Sequence, residues 1–117
     1  MPSVLIVARD EAIGALMASL TELAGYVPVF PAADESVPRA IARLAPEILL
    51  LDCDDDAAAQ QEAYARAEQW GTHVVLFTPS RTEREVRRLA EGHGCEGFAL
   101  PVQRTELRRV LDDAMRH

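Results

Sequence analysis

The apolar residues of the chain fall into two patterns, short unbroken runs and runs spaced three and four apart. The first kind marks strands buried on both faces, the second marks one side of a helix. Val4 to Val7 and Ile48 to Leu51 are unbroken, and His73 to Phe77 predicts a further strand. Val27 to Phe30 is a shorter strand, and Pro28 within it predicts an edge position because proline cannot donate to a ladder. Gly97 to Leu100 is a last short strand, closed by Pro101. Between these runs lie helical patterns. Asp10 is placed to cap a helix whose apolar positions are Ile13, Leu16, Met17, Leu20 and Leu23, with Gly25 as its stop. Ser36 caps the next, with Pro38 tolerated in the first turn and Ile41 and Leu44 inward. Asp54, Asp55 and Asp56 are expected to open a third helix that ends at Trp70 and Gly71. Ser80-Arg81-Thr82-Glu83 fits a capping box for a fourth, with Val86, Leu89 and Ala90 buried and Gly92-His93-Gly94 as its end. A fifth runs from about Thr105 to the C-terminus, with Leu107, Val110, Leu111 and Ala114 inward.

Strand and helix alternate throughout, so right-handed crossovers give an α/β, doubly wound, five-stranded parallel sheet with helices on both faces. Strand order 2-1-3-4-5 places a crevice between the first and third strands, at their carboxyl ends, where ligands bind in such sheets. The chain delivers Asp52 to that crevice and faces it with residues 8–11. A carboxylate there either caps the next segment or is paired or reactive, since burying it unpaired is costly.

Composition narrows the classes of function. No repeat, linker or low-complexity tract divides the 117 residues, so a single domain is expected over 1–117. The net charge is −7 and argues against nucleic acid, whose phosphates require clustered cations. The charge is uneven: residues 1–80 hold four Arg and twelve acids, residues 81–117 eight Arg and seven acids, and there is no lysine. No apolar run approaches the roughly 20 residues that span a bilayer, and Met-Pro-Ser-Val lacks the basic start of a signal peptide. Cys53 and Cys95 have no ligand-like spacing and read as free thiols in a reducing cytoplasm. His73 and His93 have no nucleophile or ligand partner nearby in sequence.

In the order and spacing of these pieces the whole chain resembles the receiver domain of bacterial two-component response regulators, which have a flavodoxin-like (βα)5 fold. Pro46-Glu47-Ile48-Leu49-Leu50-Leu51-Asp52 is similar to the family's phosphoacceptor strand, with Asp52 in the acceptor place. Thr78 matches its switch hydroxyl, Phe98 its switch aromatic, and Leu100-Pro101 its Lys-Pro pair. Thr78 and Phe98 also have plain readings as turn and core residues.

The resemblance implies a phosphoryl group taken onto Asp52 with a bridging Mg²⁺, and here the sequence departs from it. The acidic pair expected after the first strand is Ala8 and Arg9, with Asp10 and Glu11 arriving late, and the expected lysine is Leu100. Mg²⁺ requires several hard oxygen ligands. Two placements of Arg9 remain open: a bidentate pair with Asp52 that replaces the metal, or a surface position beside Asp10 or Glu11. The expectation is therefore an atypical receiver-like domain in phosphorelay signalling, acting mainly as a protein-interaction module with impaired Mg²⁺-dependent phosphorylation. It is expected to be no enzyme and to hold no resident cofactor. Its partners would be a histidine kinase or output protein, or a second copy met through the fourth helix, fifth strand and fifth helix, where Arg84, Arg87, Arg88, Arg108 and Arg109 make a mixed-charge face. Neither nucleic acid nor membrane is expected as a partner. Two alternatives stand beside this. One is a working phosphoacceptor at Asp52 using Mg²⁺, with Asp10 reaching back to the metal; the other is a small flavodoxin-like ligand-binding protein or enzyme.

Overall fold

A computed structural model describes residues 1–116. Five strands, β1 (Ser3–Val7), β2 (Val27–Val29), β3 (Ile48–Asp52), β4 (His73–Thr78) and β5 (Glu96–Ala99), form one parallel sheet in the order β2-β1-β3-β4-β5. Every residue of β3 is buried. This is why its sequence shows no polar alternation: it pairs with β1 on one side and β4 on the other, and both its faces are covered. The helices are α1 (Glu11–Leu23), α2 (Val37–Leu44), α3 (Gln61–Trp70), α4 (Glu83–Gly92) and α5 (Arg104–Met115). The core lies in two layers. Val4, Ile6, Leu50, Phe77 and Phe98 meet α1 and α5 on one face of the sheet, and Leu5, Leu49, Leu51 and Leu76 meet α2, α3 and α4 on the other. Among the described residues no helix is long and apolar enough to cross a membrane.

The local signals act largely as expected. Asp10 caps α1 by accepting from the amides of Ala12 and Ile13, and Ser36 caps α2, with Pro38 in its first turn. Gly71 closes α3 with φ 70°, a left-handed conformation that costs glycine little. β2 is an edge strand, as Pro28 predicts.

Several expectations are corrected. The three aspartates do not open α3. Asp55 caps a short 3-10 turn at Asp56–Ala59, and α3 begins at Gln61 without a side-chain cap. The capping box of α4 is formed by Thr82 and Glu85, two residues later than Ser80 and Glu83, because the chain leaving β4 first makes a turn. Phe30 lies beyond β2 and is exposed, and β5 ends at Ala99, ahead of Leu100. Leu16, Leu23 and Leu89 face outward, since α1 and α4 touch the sheet along narrower stripes than their apolar residues could fill.

Candidate functional site

The carboxyl ends of β1, β3 and β4 converge on Asp52, which is 1 % exposed at the last position of β3. The side chain is not orphaned. Its Oδ2 accepts from the Arg9 backbone amide at 3.1 Å, and its Oδ1 accepts from the Asp54 amide at 2.9 Å. Both carboxylate oxygens are thus met by N–H groups of the adjacent loops, the arrangement that makes a buried carboxylate tolerable.

Of the two placements open to Arg9, the structure has the outward one. Arg9 is exposed and meets Asp52 through its main chain; among the described residues its guanidinium makes no ion pair within 4.0 Å. The bidentate Arg9–Asp52 pair is therefore absent, because the chain turning from β1 to the Asp10 cap presents its amide to Asp52 and sends the side chain outward. Arg81 supplies the charge instead, from the loop between β4 and α4. Its Nε and Nη2 both stand 2.9 Å from Asp54 Oδ1, and the Ser80 hydroxyl donates to Asp54 Oδ2 at 2.9 Å. The Ser80 hydroxyl and the Arg81 guanidinium hold Asp54 below the usual carboxylate range. The loop is fixed from its other side by Thr78, whose buried hydroxyl accepts from the amides of Arg81 at 2.8 Å and Ser80 at 3.3 Å. Asp54, Ser80 and Arg81 were not singled out from sequence as a unit. The available signal was Thr78-Pro79-Ser80-Arg81, a cation three residues past a strand end that the parallel order sets beside the aspartate run.

The remaining predicted residues surround this centre without joining it. Ala8 is half-buried against the core under α1, and Asp10 is occupied as the α1 cap. Glu11 is exposed in the first turn of α1. Leu100 packs against the core layer shared with Phe77 and Phe98. Phe98 is buried and lies beside Phe77, with ring centroids 6.2 Å apart. Arg84, Arg87, Arg88, Arg108 and Arg109 are exposed on α4 and α5. Arg87 pairs with Glu83, Arg108 approaches Asp112, and Arg109 is bound by Glu106 and Asp113. His73, His93 and Cys95 line a groove of about 970 Å³ between α3 and the turn from α4 into β5, at the opposite end of the strands from Asp52.

The receiver resemblance implies Mg²⁺, and the donors present do not fit it. Asp52, Cys53 and Asp54 each place one ligand atom within 4.8 Å of the others. Of these, Asp54 is committed to a guanidinium, and Cys53 offers soft sulfur as a thiol that burial pushes above its usual pKa. Asp52 alone remains as a hard ligand, where Mg²⁺ takes near-octahedral oxygen.

No protein-family model matches the chain, and no curated protein matches it by sequence. Solved structures do match. A response regulator receiver protein from Burkholderia phymatum superimposes with TM-score 0.78 at 18 % identity, over 99 % of this chain and 96 % of that one. The signal receiver domain of a modulated diguanylate cyclase from Desulfovibrio desulfuricans G20 gives TM-score 0.75 at 27 % identity, over 99 % and 94 %. A response regulator from Thermotoga maritima gives TM-score 0.75 at 12 % identity, over 100 % and 99 %. With its strand order, its aspartate at the end of β3 and its threonine at the end of β4, the chain has the fold of response regulator receiver domains.

Proposed function

We propose that this chain is a signalling module of the receiver type that acts through protein contacts in one fixed state, without Mg²⁺-dependent phosphorylation of Asp52. The observation that carries this reading is the Arg81–Asp54 pair. In a phosphorylated receiver, charge arriving on the β3 aspartate would draw the neighbouring loops together. Here a guanidinium already ties the loop after β4 to the loop after β3, and Ser80 and Thr78 complete the tie. Asp52 itself is sealed, with both oxygens accepting main-chain hydrogen bonds. Ala8 and Leu100 offer neither a metal ligand nor a cation for a developing acyl phosphate. The partner class is a signalling protein, a kinase or an output protein, which reads a surface that does not change with phosphate.

Acetyl phosphate or beryllofluoride with Mg²⁺ tests this directly. The expected result is no stoichiometric modification by mass spectrometry and no change in the amide spectrum around Asp52. Modification at Asp52 that disappears in Asp52→Asn would establish the phosphoacceptor reading instead.

A further inference from the structure

Helix α1 carries apolar residues on more of its circumference than the sheet covers. Gly14, Met17 and Thr21 face the sheet. On the opposite side Ala12, Leu16, Ser19 and Leu23 form a single line in steps of four, three and four residues, and all four are exposed. Leu16 is 46 % exposed and Leu23 60 %. No charged residue lies in α1 between Glu11 and Glu22. Val27, at the start of the edge strand β2, is also 41 % exposed. An apolar stripe on a helix is ordinarily covered, and steps of four and three are the seam of a paired helix.

We propose that this face is covered by the α1 of a second copy of the chain, packed antiparallel. Size and charge both choose that occupant and that direction. The line alternates small and large residues: Ala12, Leu16, Ser19, Leu23. In a parallel pair each residue meets its own copy, so leucine layers alternate with near-empty ones. In an antiparallel pair Leu16 meets Ser19 of the second copy and Leu23 meets its Ala12. Every layer then holds one large and one small side chain at a constant helix separation. This contact is isologous and closes as a dimer.

Charge agrees. Glu11 stands at the N-terminal end of α1. At the other end is Tyr26. Burial and the hydrogen bond to Asp112 push its hydroxyl well above its usual pKa, while the neighbouring Arg108 and Arg116 pull it down. Antiparallel packing brings Glu11 of each copy towards Arg108 of the other, which approaches Asp112 only at 3.9 Å, and sets the helix dipoles head to tail. Asp112 and Asp113 at that end are already engaged, by Tyr26 and by Arg109 and Arg116. Glu22 falls opposite Ala15, so no like charges meet. Two helices of this length cover less than the ~1,600 Å² of a standard interface, so the dimer is weak, micromolar or weaker.

Sedimentation velocity from roughly 10 µM to about 1 mM covers the range in which such an interface populates. The wild-type chain should move from its 12.9 kDa monomer towards twice that mass. Leu16→Glu and Leu23→Glu, both at exposed positions and with circular dichroism unchanged, should remain monomeric throughout. Ser19→Leu separates the two directions. Opposite Leu16 it overfills an antiparallel layer and should weaken association at least about tenfold, the equivalent of ~1.4 kcal/mol; opposite itself in a parallel pair it would tighten association. A chain monomeric at every concentration overturns the proposal. So does a dimer indifferent to both leucine changes, whose interface lies elsewhere, or one tightened by Ser19→Leu.

Discussion

Among the described residues, Thr21 carries the one buried side-chain oxygen with no hydrogen-bond partner. It lies on the inner face of α1, where a hydroxyl costs desolvation and returns nothing. Thr21→Val keeps the branched shape and removes the unmet group. It should raise stability by about 1 kcal/mol and the thermal midpoint by roughly 4 °C, read by calorimetry; an unchanged midpoint would mean that the hydroxyl finds a partner in solution. Asp54 gives a second test at this scale. The Ser80 hydroxyl and then Arg81 lower its pKa in the folded state. A carboxyl lowered on folding stabilises the fold above its unfolded value, near 3.9, and that stability is lost as pH falls through the folded value. Arg81→Ala should therefore reduce the urea midpoint at pH 7 by more than it does near pH 3. Equal losses at both pH values would show that Arg81 contributes by packing and not through its charge.

At the scale of elements, the closest approach at any glycine is that of α4 to β5. A Cβ added at Gly97 would stand 3.0 Å from the Val86 carbonyl oxygen and 3.1 Å from the Ala90 Cβ. The first of these is helix backbone and cannot rotate aside. Gly97→Ala should move α4 outward and destabilise the domain by about 1–3 kcal/mol, the usual cost of overfilling a packed contact. Its position one residue from Phe98 makes the displacement visible as shifted resonances of the Phe77–Phe98 pair. The same close approach explains why Val86 and Ala90 are buried while Leu89, one residue before Ala90, is left partly exposed. A helix resting on a glycine touches the sheet along a narrow line.

At the scale of the molecule, the sheet sets the carboxyl ends of β1, β3 and β4 side by side and so decides which loops share a site. A ligand that binds only the folded state raises its stability by about 2.7 kcal/mol at 100 times its dissociation constant. Magnesium should give no such rise here: the thermal midpoint is expected to stay constant on adding millimolar Mg²⁺. The combined change Ala8→Asp, Arg9→Asp and Leu100→Lys supplies the missing carboxylates and cation and should make the midpoint respond. A wild-type midpoint that climbs with Mg²⁺ and not with Na⁺ at matched ionic strength would contradict the fixed-state reading.

The amino-acid sequence alone determined the alternation of strand and helix, the parallel sheet, the edge position of β2 and the delivery of Asp52 to the end of β3. Each of these rests on unbroken apolar runs of strand length, on the helical period of 3.6 residues, on proline and glycine chemistry and on the handedness of crossovers, all of which act within a short stretch of chain. Three things were decided only by tertiary structure. Arg81, not Arg9, is the cation of the site, because which loop reaches which carboxylate depends on strands far apart in sequence. The aspartates after β3 serve a turn and an ion pair instead of opening α3, because Asp54 finds its partners 26 and 27 residues away. And Leu16 and Leu23 face outward, because helical periodicity marks which residues are apolar but not how wide a stripe the sheet can cover.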